Sequence, residues 1–443
     1  MTRDTICPAT YDVLPGLTLT VLPTDRFKVG MLSLCFALPF SKEKATARAL
    51  LMSVLRRGCE SYPTLADINR RLDELYATPY RVIDSTRAGA HYVGFGAEIL
   101  DERYLLEDMD LCGEVVSLMS EMLFSPLMEK GHLCDRYVAQ EKKNTIDHLR
   151  ALQNQPATYA MARFLDAFHE DDPLSLPILD GTEERIGALD AEQLTAEWQD
   201  ILSCAPMQCF YIGGIAPERL IDCLRRVLTP YLSRVSGERM SIVPTCRTTP
   251  SWDAVRCVEE AGDRGQSHLI LGFRTPVTLQ SPDYFATMLC HELLGQSPIS
   301  RLFVHVREAH SLCYTISSRY RMLQGELTVA CGISAENRER AERAILEQIE
   351  VLRKGEFTDA EWLAAKKSLI GSCRQLEDST RSLADFYKIR LPLCPDHTPA
   401  EYVARFDAIT REEVMAAADQ LHLDMVYFRR GTGEVIGEDD DNE

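Results

Sequence analysis

The 443-residue chain lacks the marks of several large functional classes. No apolar run reaches the length of a membrane span, and stretches such as residues 29–40 are broken well short of one. Residues 1–44 contain no basic segment followed by an apolar core, so no secretory leader is expected and a cytoplasmic protein is the plain reading. Cysteine is plentiful, at fifteen, but the number is odd and C-x-x-C is missing. That excludes a zinc ribbon, a redox dithiol and a disulfide framework, and leaves thiols serving as small buried apolar side chains. Positive charge is in deficit. The 48 Lys and Arg against 67 Asp and Glu leave a formal charge of −19, which repels polyphosphate backbones and argues against a nucleic-acid partner. The acidic end, residues 438–443, reads as a solvated tail. There is no G-x-S-x-G elbow, phosphate loop or dinucleotide fingerprint.

What is present is soluble globular composition, with 45% hydrophobic and 26% charged residues, at a length that favours two or three domains. Strands are expected at 17–22 and 29–39, helices at 44–57 and 65–76, and a strand pair at 80–84 and 91–98. Helices follow at 110–124, 133–152 and 157–168. In the first of these, Leu111, Val115, Leu118, Met119 and Met122 hold the spacing of one buried face. Pro and Gly mark a loop around 171–181, and a Ser, Thr, Pro and Arg texture marks a linker at about 233–253.

Beyond it the same order of elements recurs. A strand at 267–276 precedes helices at 282–294 and 299–308, a strand pair at 312–318 and 326–333, and helices at 336–352 and 359–376. Pro39 with Pro276, Tyr76 with Tyr314, and Gly94 with Gly332 are all separated by nearly one offset. The ordered series predicts a duplicated α+β domain, each copy a mostly antiparallel sheet with packed helices, divided as 1–235 and 236–443. Two similar halves tend to enclose space where ligands sit.

Metal chemistry is hard to place. His291-Glu292 begins like H-E-x-x-H, but Gly295 stands where the second His should be, so the pair reads as a helix C-terminal feature. No two His flank a Glu as H-x-x-E-H requires. His305 and His310 are five apart, on different helix faces, and His148 and His169 are isolated on helical segments.

The most distinctive segment is L-L-G-Q-S-P-I-S-R-L-F at 293–303, running on to V-R-E-A-H-S-L-C-Y-T-I-S-S at 306–318. It resembles the C-terminal-half signature of the pitrilysin and insulinase-like zinc peptidases, in which an Arg and a Tyr stand seven apart, as Arg307 and Tyr314 do here. Gln296 interrupts the Gly run of that signature, Ser311 stands where Gly is usual, and Cys313 replaces a small Ala. D-P-L-S-L-P-I-L-D-G-T-E-E at 172–184 is similar to a stretch of the first half of the family, with Asp180 inserted. So is the strand at 207–214 with the helix start at 217–220. The likeness spans about residues 15–430. Within the family the overall texture is similar to a bacterial peptidase-like protein associated with modification of translation elongation factor P, a likeness carried by no single residue.

The resemblance implies a clam-shaped molecule whose halves close on a chamber, with zinc held by H-x-x-E-H in the first half. The Arg and Tyr of the second half would reach the substrate. In this chain the positions matching the zinc motif are Ala49, Met52 and Ser53, ahead of the turn at Arg57-Gly58-Cys59. The third ligand falls on His148, with Glu141 as the preceding acid. One possible ligand of three remains, whereas catalytic zinc keeps three. Met52 cannot accept a proton as the Glu of the family does. The resemblance therefore implies no cofactor and no catalysis by this chain alone. It implies a substrate-binding or regulatory subunit that gives Arg307 and Tyr314 to a homologous H-x-x-E-H partner acting on a peptide. The alternatives are a scaffold protein with this fold and no part in proteolysis, and, more weakly, a zinc enzyme with other ligands around His148.

Overall fold

The computed structural model describes residues 6–172, 182–233, 239–262 and 265–432. Most of the 172–184 stretch and the whole of the 438–443 tail lie outside the described residues. The chain forms two compact units.

The sheet of the first unit is built from β1 (Ala9–Leu14), β2 (Leu17–Pro23), β3 (Val29–Pro39), β4 (Tyr80–Arg87), β5 (Ala90–Leu100) and β6 (Met207–Gly213), in the order β1-β2-β6-β3-β5-β4. Every residue of β3 between its two ends is buried, which is why this strand reads as an unbroken apolar run rather than an alternating one. The pairing of β2 with β6 is parallel and the other pairings are antiparallel.

The second unit carries β7 (Arg256–Ala261), β8 (Ser267–Arg274), β9 (Cys313–Arg321), β10 (Glu326–Ile333) and β11 (His422–Arg430), in the order β9-β10-β8-β11-β7. Here β11 with β7 is the parallel pair and the rest are antiparallel. With the extra edge strand β1 set aside and the sheets read from opposite edges, the two share one topology, a parallel pair followed by three antiparallel strands. The residue coincidences behind the repeat do not share it. Gly94 lies opposite Cys35, four residues before Pro39, whereas Gly332 lies opposite His268, eight before Pro276. The architecture is duplicated, but those Gly and Pro residues occupy different registers.

The two units are assembled from alternating stretches of the chain. The first comprises Met1–His148, Gly181–Pro244 and Ser379–Asp385, and the second Leu149–Asp180, Thr245–Asp378 and Phe386–Glu443. The chain therefore passes between the units five times, where a simple tandem would pass once. The Pro156–Phe168 helix belongs to the second unit, where Ala160, Phe164, Leu165 and Phe168 pack with Ile270, Met425 and Tyr427.

A buried ionic cluster pins that helix. His169 Nε2 lies 2.9 and 2.8 Å from the two carboxylate oxygens of Glu326. Arg274 donates to Asp424 at 2.5 Å, to Glu326 at 3.2 Å and to the Phe168 carbonyl at 2.6 Å. All four ionisable side chains are buried, where each charge needs its partners.

Candidate functional site

In the first unit the helix Ala45–Leu55 carries all three positions that match the zinc motif. Ala49 is half-buried and offers no donor atom, and Met52 is sealed in the core. The Ser53 hydroxyl donates back to the Ala49 carbonyl at 3.3 Å, one turn earlier.

The remaining acid is also occupied. Glu141, buried on the Asp135–Gln153 helix, is clamped by Arg57 through both Nε and Nη2. Asn144 Nδ2 donates to the same carboxylate oxygen at 3.1 Å. His148, seven residues on, is exposed. A guanidinium thus neutralises this carboxylate, and a dication would have to displace it. Among the described residues, no three His, Cys, Asp or Glu side chains gather as metal ligands do. These residues do not fit a zinc ion.

His291-Glu292 sits elsewhere. His291 ends the Tyr284–His291 helix and Glu292 starts a π-turn, Glu292–Gln296. His291 is buried and burial pushes its imidazole down to about 4. A side chain at Gly295 would have its Cβ 2.6 Å from both Leu302 Cδ1 and Ser318 Oγ. Close packing, not metal chemistry, accounts for the Gly there.

In the second unit the S-R-L-F segment anchors a second π-turn, Leu302–Glu308. Arg301 is buried and donates to Glu361 at 2.5 Å and to Gln348 at 3.0 Å. This fixes the turn against the helices Arg338–Lys354 and Asp359–Gln375. The turn closes through Ser311 N–H to the Arg307 carbonyl at 3.0 Å and Leu312 N–H to the Val306 carbonyl at 3.3 Å. Ser311 adopts φ +49°, the left-handed region that glycine enters at least cost.

The chain then enters β9, where Cys313 opposes Ile333 but Thr315 opposes Gly332. Tyr314 is therefore the extra residue of a β-bulge, a device that re-aims a side chain. Its ring is 68% exposed, so it is not a core residue. Arg307 lies over the Phe303 ring, with Cζ 4.6 Å from the centroid. Arg307 and Tyr314 line one cavity of about 470 Å³, together with Ser311, Ser334 and Asn337.

Comparison with known proteins bears on both halves. Residues 188–369, which contain Arg307 and Tyr314, match the family described as Peptidase M16 inactive domain. That part of the chain is similar to a peptidase M16 inactive domain. This M16-like chain is 27% identical over 417 residues to a Bacillus subtilis protein named probable inactive metalloprotease YmfF, covering 94% of this chain and 96% of that one. Its fold matches a conserved protein from Enterococcus faecalis at a TM-score of 0.88 and 24% identity, over 97% of this chain and 99% of the other. It also matches a peptidase M16 inactive domain from Pseudomonas fluorescens, with a TM-score of 0.74, 15% identity, and 96% and 98% coverage. The resemblance to zinc peptidases therefore holds at the level of family and fold. No helix among the described residues of the M16-like chain is long and apolar enough to cross a membrane.

Sequence reasoning missed two features here. The Arg57–Glu141 pair joins residues 84 positions apart, and no local pattern announces it. The bulge at Tyr314 had a local signal, the Ser at a Gly position three residues earlier.

Proposed function

We propose that the chain is a non-catalytic, substrate-binding subunit of a heteromeric M16-type zinc peptidase, giving Arg307 and Tyr314 to the active site of a homologous H-x-x-E-H partner. The observation that carries this reading is the exposure of Tyr314 on a bulge beside Arg307, in a chain whose zinc-motif positions hold Ala49, Met52 and Ser53. A scaffold has no use for a Tyr lifted off its sheet edge next to a cation. In the complex the partner binds the metal. The Tyr314 hydroxyl donates to the developing oxyanion, and Arg307 holds a carbonyl or carboxylate of the peptide. The many buried thiols suit a reducing, cytoplasmic setting.

The test is to purify this chain and an H-x-x-E-H homologue from the same organism separately and mix them. A stable complex is expected to form, with zinc in the partner alone and peptide hydrolysis well above that of either chain. Elemental analysis showing about one zinc per molecule of this chain, lost on changing His148, would favour an independent zinc enzyme. No association, with undiminished activity of the homologue alone, would favour the scaffold reading.

A further inference from the structure

We infer that the Arg307 cavity is a carboxylate site, and that the peptide it takes presents either its own C-terminus or an acidic side chain there. This rests on the reading of Arg307 and Tyr314 as substrate-facing, and it specifies what they face.

The lining is rich in hydrogen-bond donors. Arg307 lies over the Phe303 ring. Glu308, the one acid on the cavity wall, stands 3.7 Å from Nε, beyond a normal hydrogen bond, so the guanidinium fork keeps donors for a substrate acid that outcompetes this exposed neighbour. Ser334 precedes the 3-10 turn Ala335–Asn337 and Asn337 the Arg338–Lys354 helix, and neither side chain caps the element that follows it. The Asn337 carboxamide oxygen faces Arg340 Nη1 at 3.4 Å, which leaves its amide nitrogen as a donor. The Tyr314 hydroxyl completes the set.

A neutral peptide carbonyl would use one or two of these donors. A carboxylate accepts from several and matches the planar fork in a bidentate manner. The volume, about 470 Å³, suits one or two residues rather than a long segment.

The experiment measures binding of three fluorescent peptides to the full chain by anisotropy. One has no Asp or Glu and a free C-terminus, the second is its C-terminal amide, and the third is that amide with one Glu near the end. The free acid, the Glu-bearing amide or both are expected to bind about tenfold or more tighter than the plain amide. Which of them does so identifies the source of the carboxylate. Arg307→Ala should erase the discrimination, and Arg307→Lys should retain part of it, since charge remains and the fork is lost. Thermal unfolding confirms that the variants are folded.

Equal binding of all three by the wild-type chain overturns the inference. If Arg307→Ala and Tyr314→Phe then weaken all three alike, the subunit reading stands without it. Absence of any binding up to millimolar peptide also overturns the inference, and the mixing experiment then judges the subunit reading separately.

Discussion

At the scale of single residues, two positions of the signature segment carry definite thermodynamic expectations. Ser311 holds a left-handed φ of +49°, and the left-handed conformation costs an L-residue about 1–2 kcal/mol. Ser311→Gly relieves this at some entropic cost, so a net gain of about 1 kcal/mol in urea unfolding is expected. His291 carries a pH dependence. Its pKa falls from 6.5 to about 4 on burial, so the folded state favours the neutral ring. The associated stability is complete above pH 6.5 and is lost as the pH falls towards 4, a change of about 3 kcal/mol. His291→Asn removes that titration, and its unfolding free energy should decline less steeply across the same window. The motif residues were legible because each departure from the family pattern has a chemical meaning. Ala49 has no lone pair to offer, Met52 cannot act as the base and Ser53 is a poor zinc ligand, and Ser311 in place of Gly marks a backbone requirement. The exposure of Tyr314 was not legible. An R-x6-Y spacing fits a packed Tyr as well as a displayed one, and only the register of β9 against β10 decides.

At the scale of elements, apolar periodicity identified the helices but not their partners. Phe164 and Phe168 announce that the Pro156–Phe168 helix buries a face. Nothing local says that the face lies on β8 and β11, about a hundred and more residues further on. The strands β1, β7 and β11 escaped notice, and β7 alternates half-buried with exposed residues, a weak apolar signal. The ionic cluster that locks the helix gives a graded test. Arg274→Leu strands Asp424 and Glu326 without their shared cation, and a loss of about 3–5 kcal/mol is expected. His169→Ala leaves Glu326 still paired with Arg274, so about 1–3 kcal/mol should be lost. Urea midpoints at unchanged slope would check the order. Equal losses would contradict the central place of Arg274.

At the scale of the whole molecule, the first unit has the six-stranded sheet but, among the described residues, no cluster of metal ligands. An Arg57–Glu141 ion pair is buried beside the helix that carries Ala49, Met52 and Ser53. The second unit presents a half-buried Arg307 and an exposed Tyr314, the pair that the proposed function gives to a partner's active site. The most direct test is the steady-state kinetics of the reconstituted pair with wild-type chain and with Tyr314→Phe. The change removes one exposed hydroxyl and should leave fold and assembly intact. If that hydroxyl meets the oxyanion, kcat falls by about 10²–10³, with a smaller effect on KM. Wild-type turnover by the Tyr314→Phe complex would contradict the role assigned to this chain.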